Sequence, residues 1–153
     1  MRLQQWRASS PTPDTVICNV DAAWDAGTQN CGVGGVFSGW KHVPNLDSIS
    51  DSRRSVSSAL MAEALAIRSA VMYAASSNVK TLLIRSDSLS LVKMLKERNS
   101  VPALFGILFD IYHFSSTFAD VYFEYVPRLS NVLADYVVKS ALLLLNSSSS
   151  HGV

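Results

Sequence analysis

The chain has few of the residues that build disulfide frameworks, zinc sites or strongly charged surfaces. It contains two cysteines, three histidines and 16% charged residues among 153, with a formal net charge of +1. Cys18 and Cys31 form no metal-ligand cluster and the histidines lack zinc spacing, so we expect reduced, buried thiols. A disulfide is conceivable only if the two cysteines lie on paired strands. Because no global positive field exists, any contact with nucleic acid must be local.

Long apolar runs are also missing. No stretch approaches the ~20 apolar residues that cross a bilayer, and the amino terminus lacks the apolar core of a signal peptide. We therefore expect an intracellular protein, in the nucleus or the cytoplasm, that is a monomer without membrane contact. The hydrophobic fraction of 48% is typical of one compact domain at this length.

Composition divides the chain into three parts. Residues 1–14 are polar and contain two prolines, which predicts a flexible N-terminal lead-in. Residues 15–146 carry the periodic apolar pattern of a folded domain. Residues 147–153 begin with a run of four serines and are expected to be a disordered tail.

Hydrophobic periodicity predicts the element order βββαβααβα. The predicted strands cover residues 16–24, 32–37, 46–49, 81–86 and 120–126. The predicted helices begin at Ser57 or Ser58, at Ser86 or Asp87, at Pro102, and at Ser130 or Asn131. Strands separated by helices imply parallel crossovers, whereas the opening hairpin implies antiparallel pairing, so the sheet should be mixed.

Four acidic residues sit where these elements start, end or turn: Asp21, Glu63, Asp87 and Asp135. A carboxylate costs roughly several kcal/mol to hold in a partly buried place without a partner, so four such places suggest one shared cation. Carboxylates without histidine or cysteine fit Mg²⁺ or Mn²⁺ better than zinc.

Each acidic residue also has a purely structural explanation. The alternatives are an N-cap for Asp87, a solvated helix position for Asp135, an ion pair with Arg68 or Lys93 for Glu63, and a turn for Asp21.

Four short segments surround these carboxylates in a recognisable order: Asn19–Trp24 (NVDAAW), Ala62–Ala66 (AEALA), Ser86–Ser88 (SDS) and Asn131–Asp135 (NVLAD). Together they resemble the ribonuclease H superfamily, specifically the type-1 ribonuclease H-like domains that are abundant in plants and related to retrotransposon reverse transcriptases. The resemblance covers residues 16–145, nearly the whole chain.

The resemblance implies an α/β fold, with a five-stranded mixed sheet flanked by about four α-helices. It also implies a metal-dependent endonuclease that hydrolyses the RNA strand of RNA–DNA hybrids. Asp21, Glu63, Asp87 and Asp135 would be the catalytic and metal-binding residues. They would hold Mg²⁺ or Mn²⁺, with two ions ~3.5–4 Å apart, and Asp21 would bridge them.

Contacts to the hybrid would come from small polar side chains and a loop cation, because a hybrid exposes phosphates and 2′-hydroxyls across a shallow groove. The candidates are Ser57, Ser58, Ser88, Arg128 and Asn131. Helix capping is the alternative role for the serines, and a solvated loop position is the alternative for Arg128.

The sequence departs from the family pattern at two places. Tyr125 stands where many active relatives carry a histidine, and the basic handle with interleaved tryptophans is missing. The alternative function is therefore a catalytically weak or inactive nucleic-acid-binding domain derived from a mobile element. Two further alternatives are a protein-interaction module whose acidic residues are helix caps, and cleavage of other RNA or DNA by the same site.

Overall fold

The structure, a computed structural model, describes residues 14–39 and 48–151. The strands are β1 (Thr15–Trp24), β2 (Cys31–Ser38), β3 (Ser48–Arg53), β4 (Thr81–Ser86) and β5 (Asp120–Tyr125). The helices are α1 (Ala59–Ser76), α2 (Leu89–Lys96), α3 (Phe105–Ser115) and α4 (Val132–His151). Short 3₁₀ turns, Pro102–Leu104 and Arg128–Ser130, precede α3 and α4. The predicted element order is confirmed.

The strands form one mixed sheet in the order β3-β2-β1-β4-β5. β1 pairs antiparallel with β2, and β2 antiparallel with β3. β1 runs parallel to β4, and β4 parallel to β5. The carboxyl ends of the three parallel strands therefore meet at one edge of the sheet, where loops can gather polar side chains.

The main core lies between the sheet and α1. Alternation along β1 sends Val16, Cys18 and Val20 to this side, and all three are buried. The opposite face is covered by α4, whose backbone comes very close to β2. A Cβ on Gly32 would meet the carbonyl oxygen of Val138 and lie 2.9 Å from the backbone nitrogen of Leu142. Only glycine permits this approach.

α1 has the length and apolar composition of a membrane-spanning helix. Eight of its residues are buried in the core against the sheet and α3. Burial in the protein interior accounts for this composition, because a helix covered on most sides is apolar on most sides.

Two predicted boundaries were wrong. β3 runs from Ser48 to Arg53 rather than over 46–49, and residues 46–47 lie outside the described part. α2 begins at Leu89 after Ser88, not at Ser86 or Asp87. Ser86 still pairs with Tyr125 in the sheet, so the chain cannot turn into the helix there.

At the carboxyl end, α4 extends past residue 146, the predicted end of the folded domain. α4 continues to His151, into the segment 147–153 that was expected to be disordered. A helix continues through serines because each added residue gains a hydrogen bond without a new nucleation cost. The lead-in, residues 1–14, lies outside the described residues except for Asp14. Cys18 and Cys31 are free, buried thiols, as predicted.

Candidate metal centre

Three of the predicted carboxylates meet at the carboxyl edge of the parallel strands. Asn19 of β1 pairs with Arg85 of β4, so Asp21 and Asp87, each two residues further on, come side by side. Glu63 joins them from α1. One oxygen from each of the three side chains lies within 4.8 Å of the others. Asp21, Glu63 and Asp87 are called the carboxylate triad below.

The start of α1 sets the position of Glu63. Ser58 is the N-cap, and its hydroxyl accepts a hydrogen bond from the backbone N–H of Met61 at 3.0 Å. The helix begins at Ala59, so Glu63 lies just over one turn into it. Since α1 packs across β1, this turn brings the Glu63 side chain to Asp21.

Burial and mutual repulsion make the triad expensive to ionise fully. Asp21 is 4% exposed, and burial, followed by the negative charge of Asp87, raises its pKa to about 6. Burial and the charges of Asp21 and Asp87 raise the pKa of Glu63 to about 9. A hydrogen bond from the backbone N–H of Ala22 to Asp21, at 2.9 Å, works against the first shift. Without a cation, Glu63 therefore holds a proton at neutral pH.

The triad leaves oxygen atoms without partners. Glu63 Oε2 and Asp87 Oδ2 are buried and accept no hydrogen bond. Arg128 Nε lies 3.7 Å from Asp87 Oδ2, too far for a hydrogen bond, and the Arg128 side chain is 85% exposed. Buried, unpartnered oxygens with excess negative charge and no nitrogen or sulfur donor fit Mg²⁺ or Mn²⁺.

Asp135 lies outside the triad. It occupies the first turn of α4, is 30% exposed, and forms an ion pair with Lys139 at 2.9 Å. Its charge still contributes to the raised pKa of Asp21, as the weakest of the named causes. Three of the four expected carboxylates therefore lie close together. The fourth, Asp135, lies nearby and is paired with Lys139.

Asn131 has a different environment from the one predicted. It is 1% exposed, and its Nδ2 donates a hydrogen bond of 2.7 Å to the carbonyl oxygen of Val20. This bond ties the start of α4 to β1 beside Asp21. Since the side chain is buried and bonded within the protein, its role in this structure is to position α4.

The predicted contact residues Ser57, Ser58 and Ser88 lie at the starts of α1 and α2, the two elements that carry or follow Glu63 and Asp87. Ser57 is exposed, next to the Ser58 cap, with its hydroxyl 3.6 Å from the sulfur of Met61. Ser88 makes no side-chain cap, so its hydroxyl is not committed to α2. Glu63 has no ion pair with Arg68, which pairs with Asp110 at 3.2 Å.

A row of three polar residues crosses the sheet next to the triad, two residues before Asp21 and Asp87 along their strands. The sequence did not indicate this row. Asn19, Arg85 and Glu124 are side by side on β1, β4 and β5. Asn19 Oδ1, Arg85 Nε and Glu124 Oε2 are buried without hydrogen bonds, and Arg85 and Glu124 approach only to 3.8 Å. Period-two alternation back from Asp21 is the signal that would have found Asn19.

A five-stranded mixed sheet of this order, with helices on both faces, is the ribonuclease H fold. The chain belongs to the reverse transcriptase-like family, whose sequence profile matches residues 19–141. No protein of curated function matches it significantly in sequence.

Solved ribonuclease H structures share this architecture at low sequence identity. The N-terminal ribonuclease H domain of a Mycobacterium tuberculosis protein is 20% identical, with a TM-score of 0.73 over 84% of this chain and 98% of that one. Ribonuclease H1 of Halobacterium salinarum is 24% identical, with a TM-score of 0.71 over 84% and 97%. LC11 ribonuclease H1, solved in complex with an RNA/DNA hybrid, is 20% identical, with a TM-score of 0.67 over 83% and 96%.

Proposed function

We propose that this protein is a metal-dependent endonuclease that hydrolyses the RNA strand of RNA–DNA hybrids. The observation that carries the proposal is the carboxylate triad, in which one buried and two partly buried acidic side chains approach within 4.8 Å on a ribonuclease H fold. A solved neighbour with this fold binds an RNA/DNA hybrid, which supports the choice of substrate.

The residues of the triad have distinct parts in the proposal. Bound Mg²⁺ or Mn²⁺, two ions in this proposal, would supply an activated water and neutralise charge on the leaving oxygen. Asp21 would be the central metal ligand, because it is the most buried member and interacts with Glu63, Asp87 and Asp135. Glu63 releases its proton when the site is loaded, since a cation stabilises the ionised form. Asp135 would be a fourth ligand, in which case its carboxylate would give up the ion pair with Lys139.

Substrate contacts in the proposal come from the exposed polar groups around the triad. Arg128 is next to Asp87 and mostly exposed, so its guanidinium can bind a backbone phosphate. Ser57, Ser58 and Ser88 lie at the starts of α1 and α2, where hydroxyls and backbone N–H groups can reach the 2′-hydroxyls and phosphates of a hybrid.

Cleavage of a labelled RNA–DNA duplex in Mg²⁺ or Mn²⁺ tests the proposal. Asp21→Asn should lower the cleavage rate by more than about 100-fold, because it removes a metal-binding charge without changing shape. Asp120→Asn is the matched control, since Asp120 starts β5 at the opposite end of the sheet. Equal activity of the Asp21 variant and the unmodified protein would refute the assigned mechanism.

Metal binding can be measured without turnover. Mn²⁺ and Mg²⁺ should raise the melting temperature of the unmodified protein, since a ligand that binds only the folded state stabilises it. The Asp21→Asn variant should show a smaller rise. Equal rises in both proteins would mean that the ions bind elsewhere.

A second candidate is a nucleic-acid-binding domain with weak or absent catalysis. The ion pair of Asp135 with Lys139, at 2.9 Å, favours it, because the pair leaves the fourth carboxylate outside the triad. Tyr125, 42% exposed at the end of β5, stands in place of the expected histidine. Hybrid binding and metal-dependent stabilisation without cleavage would select this candidate.

A further inference from the structure

The outer side of α4 carries a line of large apolar side chains that nothing covers within the described residues. Its members are between 63% and 71% exposed, and Leu129 in the preceding turn is 89% exposed. We call these residues the α4 stripe: Leu129, Val132, Leu133, Tyr136, Leu143 and Leu144.

The stripe is continuous and separate from the side of α4 that packs on the sheet. At about 100° per residue, its five helical members and Ser140 fall within an arc of about 120°. Ala134, Val138 and Ala141 occupy the opposite side and are buried. α4 is therefore apolar on both sides, although its contacts with the sheet use only one.

The exposed area is large for a single copy. From the exposed fractions, the stripe presents roughly 600–800 Å² of mostly apolar surface, near the area that one partner buries in a standard interface. Monomeric proteins rarely expose contiguous apolar patches of this size without a binding role.

The charges on α4 favour a protein partner over nucleic acid or an anionic membrane. Asp135 and Lys139 are the only charged residues from Val132 to Asn146, and they pair with each other at 2.9 Å. No excess cation therefore flanks the stripe to attract phosphates.

We propose that the α4 stripe is a homodimer interface, in which α4 packs antiparallel on α4 of a second copy about a two-fold axis. Centring the pair near Ser140 places Tyr136 opposite Leu144 of the second copy and brings the two Ser140 positions together at the two-fold axis. Ser140 lies between Tyr136 and Leu143 on the same side, and its small side chain lets the helices approach. This arrangement replaces the monomer expected from the sequence.

The proposed interface does not cover the carboxylate triad. Asp135 lies outside the arc of the stripe, on the flank that faces the triad. The proposal is therefore independent of the nuclease activity, and failure of one leaves the other standing.

Sedimentation velocity of the full chain over a wide concentration range tests the interface. The unmodified protein should sediment as a dimer that dissociates on dilution. Tyr136→Glu with Leu143→Glu should weaken association by at least about tenfold, because each copy would bury uncompensated charge. The control is Phe105→Glu with Phe109→Glu, which changes two exposed aromatic residues on α3 instead.

A cysteine cross-link gives a second measurement that does not depend on the charged variants remaining folded. Ser140→Cys should form a disulfide-linked dimer on mild oxidation, whereas Ser116→Cys, at the exposed end of α3, should not. The native thiols are buried and do not compete. A protein that stays monomeric at all concentrations, an α4 variant that dimerises normally, or equal cross-linking at both positions would overturn the proposal. Binding of monomers to neutral lipid vesicles through the stripe would also overturn it.

Discussion

The two faces of the sheet are built from alternate residues of the same strands, yet they differ in the polarity of their buried side chains. On the α1 side, Val20 and Ile84 belong to one continuous apolar core and are fully buried. On the α4 side, Asn19 and Arg85 carry buried polar atoms without hydrogen bonds, one step from the triad.

This difference separates what makes the protein stable from what makes it able to act. Burial of apolar area is the main favourable term in folding, and the α1 face supplies it. Unpartnered buried polar groups reduce stability, and such groups cluster where proteins bind or catalyse. On the α4 face, the buried polar atoms therefore reduce stability at the edge of the sheet where Asp21 and Asp87 meet.

The largest effect on stability should come from the α1 face. Ile84→Ala should lower the free energy of unfolding by about 2–4 kcal/mol, because it opens a cavity between the sheet and α1. Asn19→Ala, at the next position of the neighbouring strand but on the α4 face, should cost no more than about 1 kcal/mol, since Asn19 Oδ1 has no partner to lose. Urea denaturation measures both values. Equal losses would contradict the division between the faces.

A second prediction concerns the close contact between β2 and α4. Gly32→Ala should destabilise the protein by about 1–3 kcal/mol, since its new methyl group would meet backbone atoms of α4 that cannot rotate away. The expected displacement of α4 should also weaken Mn²⁺ binding, because Asp135 moves with the helix.

Gly106→Ala is the matched control for the glycine prediction. Gly106 lies in α3 with nothing within 4 Å of its added Cβ, so alanine should stabilise by roughly 0.5–1 kcal/mol. If the space around the glycine decides the outcome, thermal denaturation should show a lower melting temperature for Gly32→Ala and a higher one for Gly106→Ala. A Gly32 variant as stable as the unmodified protein would show that α4 can move without cost.

Local sequence pattern predicted the order of the elements, and parallel register explains why Asp21 and Asp87 were correctly expected to converge. The pattern failed at β3, because this edge strand, SISDSR, is largely exposed and has no apolar period. It also could not place Asp135 and Asn131. The first has a partner one turn along the helix, and the second is buried only because α4 docks on β1. The burial of Asn131 depends on a tertiary contact that no local window contains, and the Asp135–Lys139 pair is local but does not reveal where α4 lies relative to β1.

A gain in stability is expected at the triad. Glu63 has its pKa raised from 4.5 to about 9, so the folded state keeps a proton that the unfolded state releases between these values. Stability of the metal-free protein should therefore fall as pH rises through this window. Glu63→Gln removes the titration, so in chelator the variant should be more stable than the unmodified protein at pH 8, while differing little from it at pH 4.5.

Urea denaturation at both pH values, with and without Mn²⁺, measures the free energy of unfolding of the Glu63 variant and of the unmodified protein. Glu97→Gln, an exposed position at the end of α2, should change stability by no more than about 0.5 kcal/mol at either pH. Mn²⁺ should stabilise the unmodified protein more than the Glu63 variant, because the ionised carboxylate gains a ligand bond that the amide cannot replace. A Glu63 variant that is less stable in chelator at pH 8 would mean that this carboxylate supports the fold, and the contrast between the two faces would not extend to the triad.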